Sequence, residues 1–211
     1  PGSDVTMGSG KGWCLDVDKA ALKKYRSKID VESVKRMSRK TGVRADYIYG
    51  TFKVETSGQP VPAMAYAFNP KLIMRGWNSY SKRYPEYADK VTGKNKWKEV
   101  VNAWAAAGIK SRSYTEGNKS STTDKKFKKA YEIAPKLAIA CSAWGCYQVL
   151  GHHFLNHIYG GDPERFMAGR KADALGFSEG AFVRYAQVHP EWKSNVNSGN
   201  FTAAVGEYFG S

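Results

Sequence analysis

Hydrophobic residues recur along most of this chain at helical spacing, and the elements they predict are largely helices. Asp18 can cap a helix to about residue 27. The pattern over 31–41 predicts a second helix, stopped by Gly42, and 44–56 a third. On that third helix Ile48, Phe52 and Glu55 fall at i, i+4 and i+7, so one face carries two apolar side chains and then a carboxylate. The stretch 58–70 reads as extended or turn-like, since Pro60, Pro62 and Pro70 break helix. Residues 78–123 are polar and basic, with one helical island near 95–107. Thr123 or Asp124 can cap a helix running to about Ala134, which Pro135 interrupts or restarts. A short helix is predicted over 152–159. Asp162-Pro163 starts another, as an N-cap followed by proline at the first helical position. Ser178 starts a long helix with Ala181, Phe182, Tyr185 and Val188 at core spacing, and 201–209 forms the last.

Composition adds size and charge to this picture. The 211 residues, 42% hydrophobic and 13% aromatic, suffice for one large domain or a domain of two lobes. No apolar run approaches the roughly 20 residues that span a bilayer. No signal-peptide pattern opens the sequence, and Pro1-Gly2-Ser3 reads as a cloning scar, which makes that absence weak evidence. Lys and Arg total 33 against 19 Asp and Glu, a net charge of +14. Such a field draws a protein to polyanions: nucleic acid, anionic lipid or the acidic polymers of a bacterial wall. Zinc-finger spacing, an Arg-rich tail and an aromatic RNA-binding signature are all missing, so nucleic acid is not expected. Cys14, Cys141 and Cys146 are too few for a disulfide framework, although Cys141 and Cys146 could pair in an oxidising compartment. The histidines lack metal-ligand spacing, so no metal and no cofactor is expected.

The chemistry concentrates in two places. Glu55 closes a helical pattern and meets Thr56-Ser57-Gly58. Partial burial and the negative end of the helix dipole both raise a carboxyl pKa. A raised pKa suits a general acid that protonates the leaving oxygen of a glycosidic bond. Ninety residues on, Ala143-Trp144-Gly145-Cys146-Tyr147-Gln148-Val149-Leu150-Gly151 joins aromatic, amide and glycine residues. Aromatic rings stack on sugar faces, and an amide both donates to and accepts from hydroxyl and N-acetyl groups. Trp144, between small residues, reads as a packing anchor. A Ser-His-Asp hydrolase is not supported, because no Gly-x-Ser-x-Gly elbow occurs.

These segments resemble the N-acetylmuramidase domain of phage endolysins and related bacterial wall-lytic proteins, in the lysozyme-like superfamily. The resemblance runs over about 33–210. It rests on Met37-Ser38-Arg39-Lys40-Thr41-Gly42-Val43 leading into Val54-Glu55-Thr56-Ser57-Gly58, and on Pro62-Ala63-Met64-Ala65-Tyr66-Ala67-Phe68. Ser142-Ala143-Trp144-Gly145-Cys146-Tyr147-Gln148-Val149-Leu150-Gly151 is similar to the family's Ser-Trp-Gly-x-x-Gln-x-x-Gly stretch, and 201–210 to its closing helix and Tyr-containing turn. The chain departs from the family in three ways. Ala67 stands where a second glutamate is usual, Phe209 stands where Asn is usual, and 78–123 is long.

The resemblance implies a mainly α, lysozyme-like α+β fold, with a helical lobe, a smaller irregular lobe of little or no sheet, and a cleft between them. The domain would span 31–211 with a basic insertion at about 78–123, after an N-terminal extension and first helix over 1–30. The expected activity is hydrolysis of the β-1,4 bond between N-acetylmuramic acid and N-acetylglucosamine, with Glu55 as acid and Ser142, Tyr147, Gln148 and Tyr208 as substrate contacts. Ser142 could instead orient a turn, Tyr147 pack in the core and Gln148 act as a cap. The alternatives are a lytic transglycosylase giving 1,6-anhydro products and a non-catalytic wall-binding module. The expected partners of a monomer are peptidoglycan strands and the anionic envelope, with an immunity protein if the chain is a secreted effector. Its place of action would be the periplasm or cell wall.

Overall fold

Two helices joined by a tight break open the described chain; the computed structural model describes residues 31–55, 66–75, 78, 82, 96–110, 115–116 and 121–209. The helix expected over 1–30 and most of the basic insertion lie outside these residues. Helix α1 (Val31–Thr41) buries Val34 and Met37 one turn apart. It ends where Gly42 takes φ 66, a left-handed value that costs glycine nothing. Thr41 Oγ1 donates to Met37 O at 2.8 Å and accepts from Val43 N at 3.1 Å, which fixes the exit. Helix α2 (Ala45–Glu55) carries Asp46 in its first turn, where a carboxylate complements the helix dipole. The Arg44 guanidinium holds that carboxylate at 2.5 and 3.0 Å. Ile48 and Tyr49 are buried.

Strand β1 (Tyr66–Phe68) and a one-turn helix α3 (Lys71–Met74) follow. The helical island is α4 (Lys96–Ala106), and it belongs to the core. Trp104 is fully buried and its Nε1 donates to Ala130 O at 3.2 Å on the next helix. Strand β2 (Thr115–Glu116) precedes α5 (Ser121–Ile133) and α6 (Pro135–Ala140), with Pro135 restarting the helix at its first position. Strands β3 (Ser142–Trp144) and β4 (Val149–Leu150) complete an antiparallel sheet of order β2-β1-β3-β4. The sheet is small, and the fold is mainly helical and lysozyme-like.

A 3₁₀ turn at Gly151–His153 breaks the helix expected over 152–159, so that α7 covers only Leu155–Tyr159. Helix α8 (Pro163–Ala172) begins as expected: the Asp162 carboxylate accepts from Glu164 N at 2.8 Å and Arg165 N at 3.1 Å. Helix α9 (Ala174–Val188) starts earlier than expected, because Asp173 rather than Ser178 caps it, accepting from Gly176 N at 2.9 Å. Ala181, Phe182 and Tyr185 are buried as the spacing predicts, whereas Val188, at the helix end, is exposed. Helix α10 (Pro190–Ser198), with Trp192 and Val196 buried, was not anticipated. Helix α11 (Phe201–Phe209) is the last.

One apolar core runs from Val34 to Ala204 and ties these elements together. At its centre Trp144 stacks on Tyr66 at 5.1 Å and meets Phe127 and Phe166 edge-on at 5.5 and 5.1 Å. Its Nε1 donates to Ile139 O at 2.9 Å, so the indole is buried with its polar atom satisfied. The packing role expected of Trp144 is therefore what the structure shows. Each fully buried Phe around it contributes about 1.5–3 kcal/mol relative to an exposed one.

Candidate active site

The chain reverses between β3 and β4 through Gly145-Cys146-Tyr147-Gln148. The turn needs two left-handed residues: Gly145 at φ 73 and Gln148 at φ 51. For glycine this is free. For glutamine it carries strain of about 1–2 kcal/mol. Among the described residues no other non-glycine has positive φ, and such strain persists where its surroundings over-determine it. Gly145 is also sterically required, since a Cβ there would overlap Ser178 Oγ of α9. Three residues past the turn, Gly151 lies so close to the Ile139 carbonyl that a Cβ would overlap it as well.

The structure brings three of the five sequence-predicted site residues, Tyr147, Gln148 and Tyr208, to this turn and sets a fourth, Ser142, at the start of β3. Ser142 is fully buried, and its Oγ donates to Ala138 O at 2.7 Å, which secures the α6–β3 junction. Tyr147 is fully buried with its ring 4.6 Å from Phe182. Burial pushes its phenol well above the ordinary tyrosine range, with Cys146 and Glu179 adding to the effect and Arg36 opposing it. A ring without exposed surface offers no face to a sugar, so in this conformation Tyr147 shapes the turn rather than its surface, and the buried Ser142 holds the start of β3. Gln148 is half-buried, and its Nε2 donates to Gly145 O at 2.8 Å. Tyr208 of α11 donates its hydroxyl to Tyr147 O at 2.6 Å while its ring stacks on Trp192 at 5.8 Å.

Glu55 is the last residue of α2, as its sequence position requires. The side chains of Phe52 and Glu55 lie outside the described residues, and so does 56–65. In the sheet, Ala67 pairs with Glu116 on one side and Ala143 on the other, and is itself buried.

The family model for N-acetylmuramidase matches residues 45–211, a span holding the α2 carboxylate, the β3–β4 turn and α11. The chain belongs to the N-acetylmuramidase family. Members of this family act on peptidoglycan, so the substrate class is the bacterial cell wall. No curated protein and no solved structure matches the chain significantly.

Other features of the muramidase domain bear on its chemistry. Among the described residues, no group of His, Cys, Asp or Glu could hold a metal ion, and no helix is long and apolar enough to cross a membrane. Cys141 and Cys146 are both free and buried, so the disulfide considered for them is not formed. Burial pushes the Cys146 thiol up to about 12. Sequence reasoning missed two contacts behind the turn. Ser178 Oγ accepts from Cys146 N at 2.9 Å and lies 2.9 Å from Cys146 Sγ. Glu179, buried beside it, takes a forked ion pair from Arg36 of α1 at 2.7 and 3.3 Å. Contacts across 32 and 143 residues leave no local pattern in a sequence.

Proposed function

We propose that this muramidase hydrolyses the β-1,4 bond between N-acetylmuramic acid and N-acetylglucosamine, with Glu55 as the general acid. The observation that carries the reading is the family match over 45–211, which takes in both the helix that ends on Glu55 and the turn that presents Gln148. Glu55 gives its proton to the bridging oxygen as the C1–O bond breaks, and water adds to C1 of the muramic acid ring. General acid catalysis of this kind is worth about 10²–10⁴ in rate. Gln148 serves the substrate side: it is the half-exposed polar side chain of the turn. The basic surface, +14 in net charge, concentrates the enzyme on an anionic envelope. The place of action is the periplasm or cell wall.

A second reading has one observation in its favour. The middle residue of β1 is Ala67, where a second carboxylate would serve to activate water. Without such a group, the C6 hydroxyl of the muramic acid can attack C1, and the product is a 1,6-anhydro sugar. Mass spectrometry of glycan released from purified sacculi separates the two, since hydrolysis adds one water for each bond cleaved and transglycosylation adds none. Reducing ends are expected; anhydro ends as the sole product would overturn the hydrolase.

A further inference from the structure

Two helices remote in sequence hold the β3–β4 turn, and each holds one peptide plane of it. The plane between Gly145 and Cys146 is fixed through its N–H, which donates to Ser178 Oγ of α9 at 2.9 Å. The carbonyl of that same plane, Gly145 O, accepts both from Gln148 N at 3.1 Å and from Gln148 Nε2 at 2.8 Å. The plane between Tyr147 and Gln148 is fixed at its other end, where Tyr147 O accepts from Tyr208 of α11 at 2.6 Å. Both donations from Gln148 to Gly145 O therefore end on the peptide that Ser178 holds, and the peptide that precedes Gln148 is held by Tyr208. With φ 51, Gln148 sits in a conformation that its own backbone disfavours. Because Nε2 is committed to Gly145 O, the acceptor Oε1 is left to meet an amide or hydroxyl donor of a sugar.

We propose that Ser178 and Tyr208 are positioning residues of the muramidase: they act on turnover only through Gln148, by holding the two peptides that set its left-handed backbone and aim its amide. This rests on the proposed hydrolase function and on Gln148 contacting the glycan. It assigns Tyr208 to the turn instead of the sugar, because its hydroxyl is already committed to Tyr147 O. It gives Ser178 a part beyond packing, although its sequence neighbourhood marks it only as a helix cap, a role that Asp173 takes instead.

A double-mutant cycle tests the proposal. Ser178→Ala and Tyr208→Phe are made in the natural sequence and again with Gln148→Ala. Then kcat and KM on soluble peptidoglycan oligosaccharides are measured beside Tm. Each single variant is expected to lower kcat about tenfold or more with KM changed less than about twofold, the signature of a misplaced contact. In the Gln148→Ala background neither change lowers kcat further, while each still lowers Tm, by an amount that differs between the backgrounds because the three residues share one hydrogen-bonded turn. A purely structural role would give no loss of kcat in the folded protein. A direct sugar contact would give the same factor in both backgrounds. Either result overturns the proposal, as does a Gln148→Ala enzyme with undiminished kcat. If Ser178→Ala does not fold, Tyr208→Phe, which keeps the ring, carries the test. A natural-sequence protein that releases no product refutes the muramidase reading itself, whereas cleavage with an additive cycle refutes only the positioning role.

Discussion

Replacing Gln148 by alanine and by glycine should reverse the usual order of these two residues. In most of a fold alanine is the more stable, because glycine loses about 0.5–1 kcal/mol more in chain entropy. At φ 51 the strain of a Cβ is about 1–2 kcal/mol, and glycine alone relieves it. Both variants lose the Gln148 Nε2 bond to Gly145 O, a neutral, half-buried bond with a net worth of about 0.5–1.5 kcal/mol. Gln148→Ala keeps the strain and loses the bond, so it is destabilised by about 1 kcal/mol. Gln148→Gly loses the bond and the entropy but sheds the strain, so it falls within about 1 kcal/mol of the natural sequence. Glycine should therefore exceed alanine by roughly 0.5–1 kcal/mol, or about 1–4 °C in Tm for a domain of this size. Turnover should separate from stability, because both variants lack the amide and should be equally impaired. Tm by calorimetry and product release from sacculi, on the same preparations, decide the matter. Alanine more stable than glycine would refute the strained turn. A fully active glycine variant would refute the role of the amide.

Three further predictions follow from the same geometry. The Tyr147 hydroxyl is buried without a hydrogen-bond partner among the described residues; Tyr147→Phe should leave stability unchanged or raise it by about 1 kcal/mol, with normal turnover, and a folded but slow variant would return Tyr147 to the list of sugar contacts. The Cys146 thiol is held by burial at about 12 against an ordinary 9.0, so its protonated form supports folding in full below pH 9 and that support fades as pH rises toward 12; urea midpoints should fall across this window, less steeply in Cys146→Ala, and an identical slope in both proteins would contradict it. Lysis of outer-membrane-permeabilised cells should weaken as salt shortens the reach of exposed charge to about 10 Å at 0.1 M, and salt-independent lysis would show that the +14 charge is not used for targeting.

Much of the helical framework was legible because its signals are local. The break at Gly42, the Asp162-Pro163 start and the restart at Pro135 each depend on residues within one turn of the helix end. Ser178 misled for the same reason: a serine before an apolar run looks like a cap, yet Asp173 lies earlier and takes that role. Helix α10 gives almost no signal in the sequence, because its buried positions, Trp192 and Val196, are set among polar residues that give little period. In the candidate site, the motif around Trp144 marked the β3–β4 turn without revealing which of its side chains face inward. Inward facing depends on Phe182 and Tyr208, and these come from helices far along the chain.

The central claim is that a single acid at the end of α2 drives glycan cleavage, and Glu55→Gln tests it most directly. Gln keeps the size and polarity of the side chain but has no proton to give. Purified sacculi treated with each protein and analysed by mass spectrometry should show muramic acid reducing ends from the natural sequence. The folded variant should release about 10²–10⁴-fold less. A Glu55→Gln protein that cleaves at near the natural rate would contradict the account.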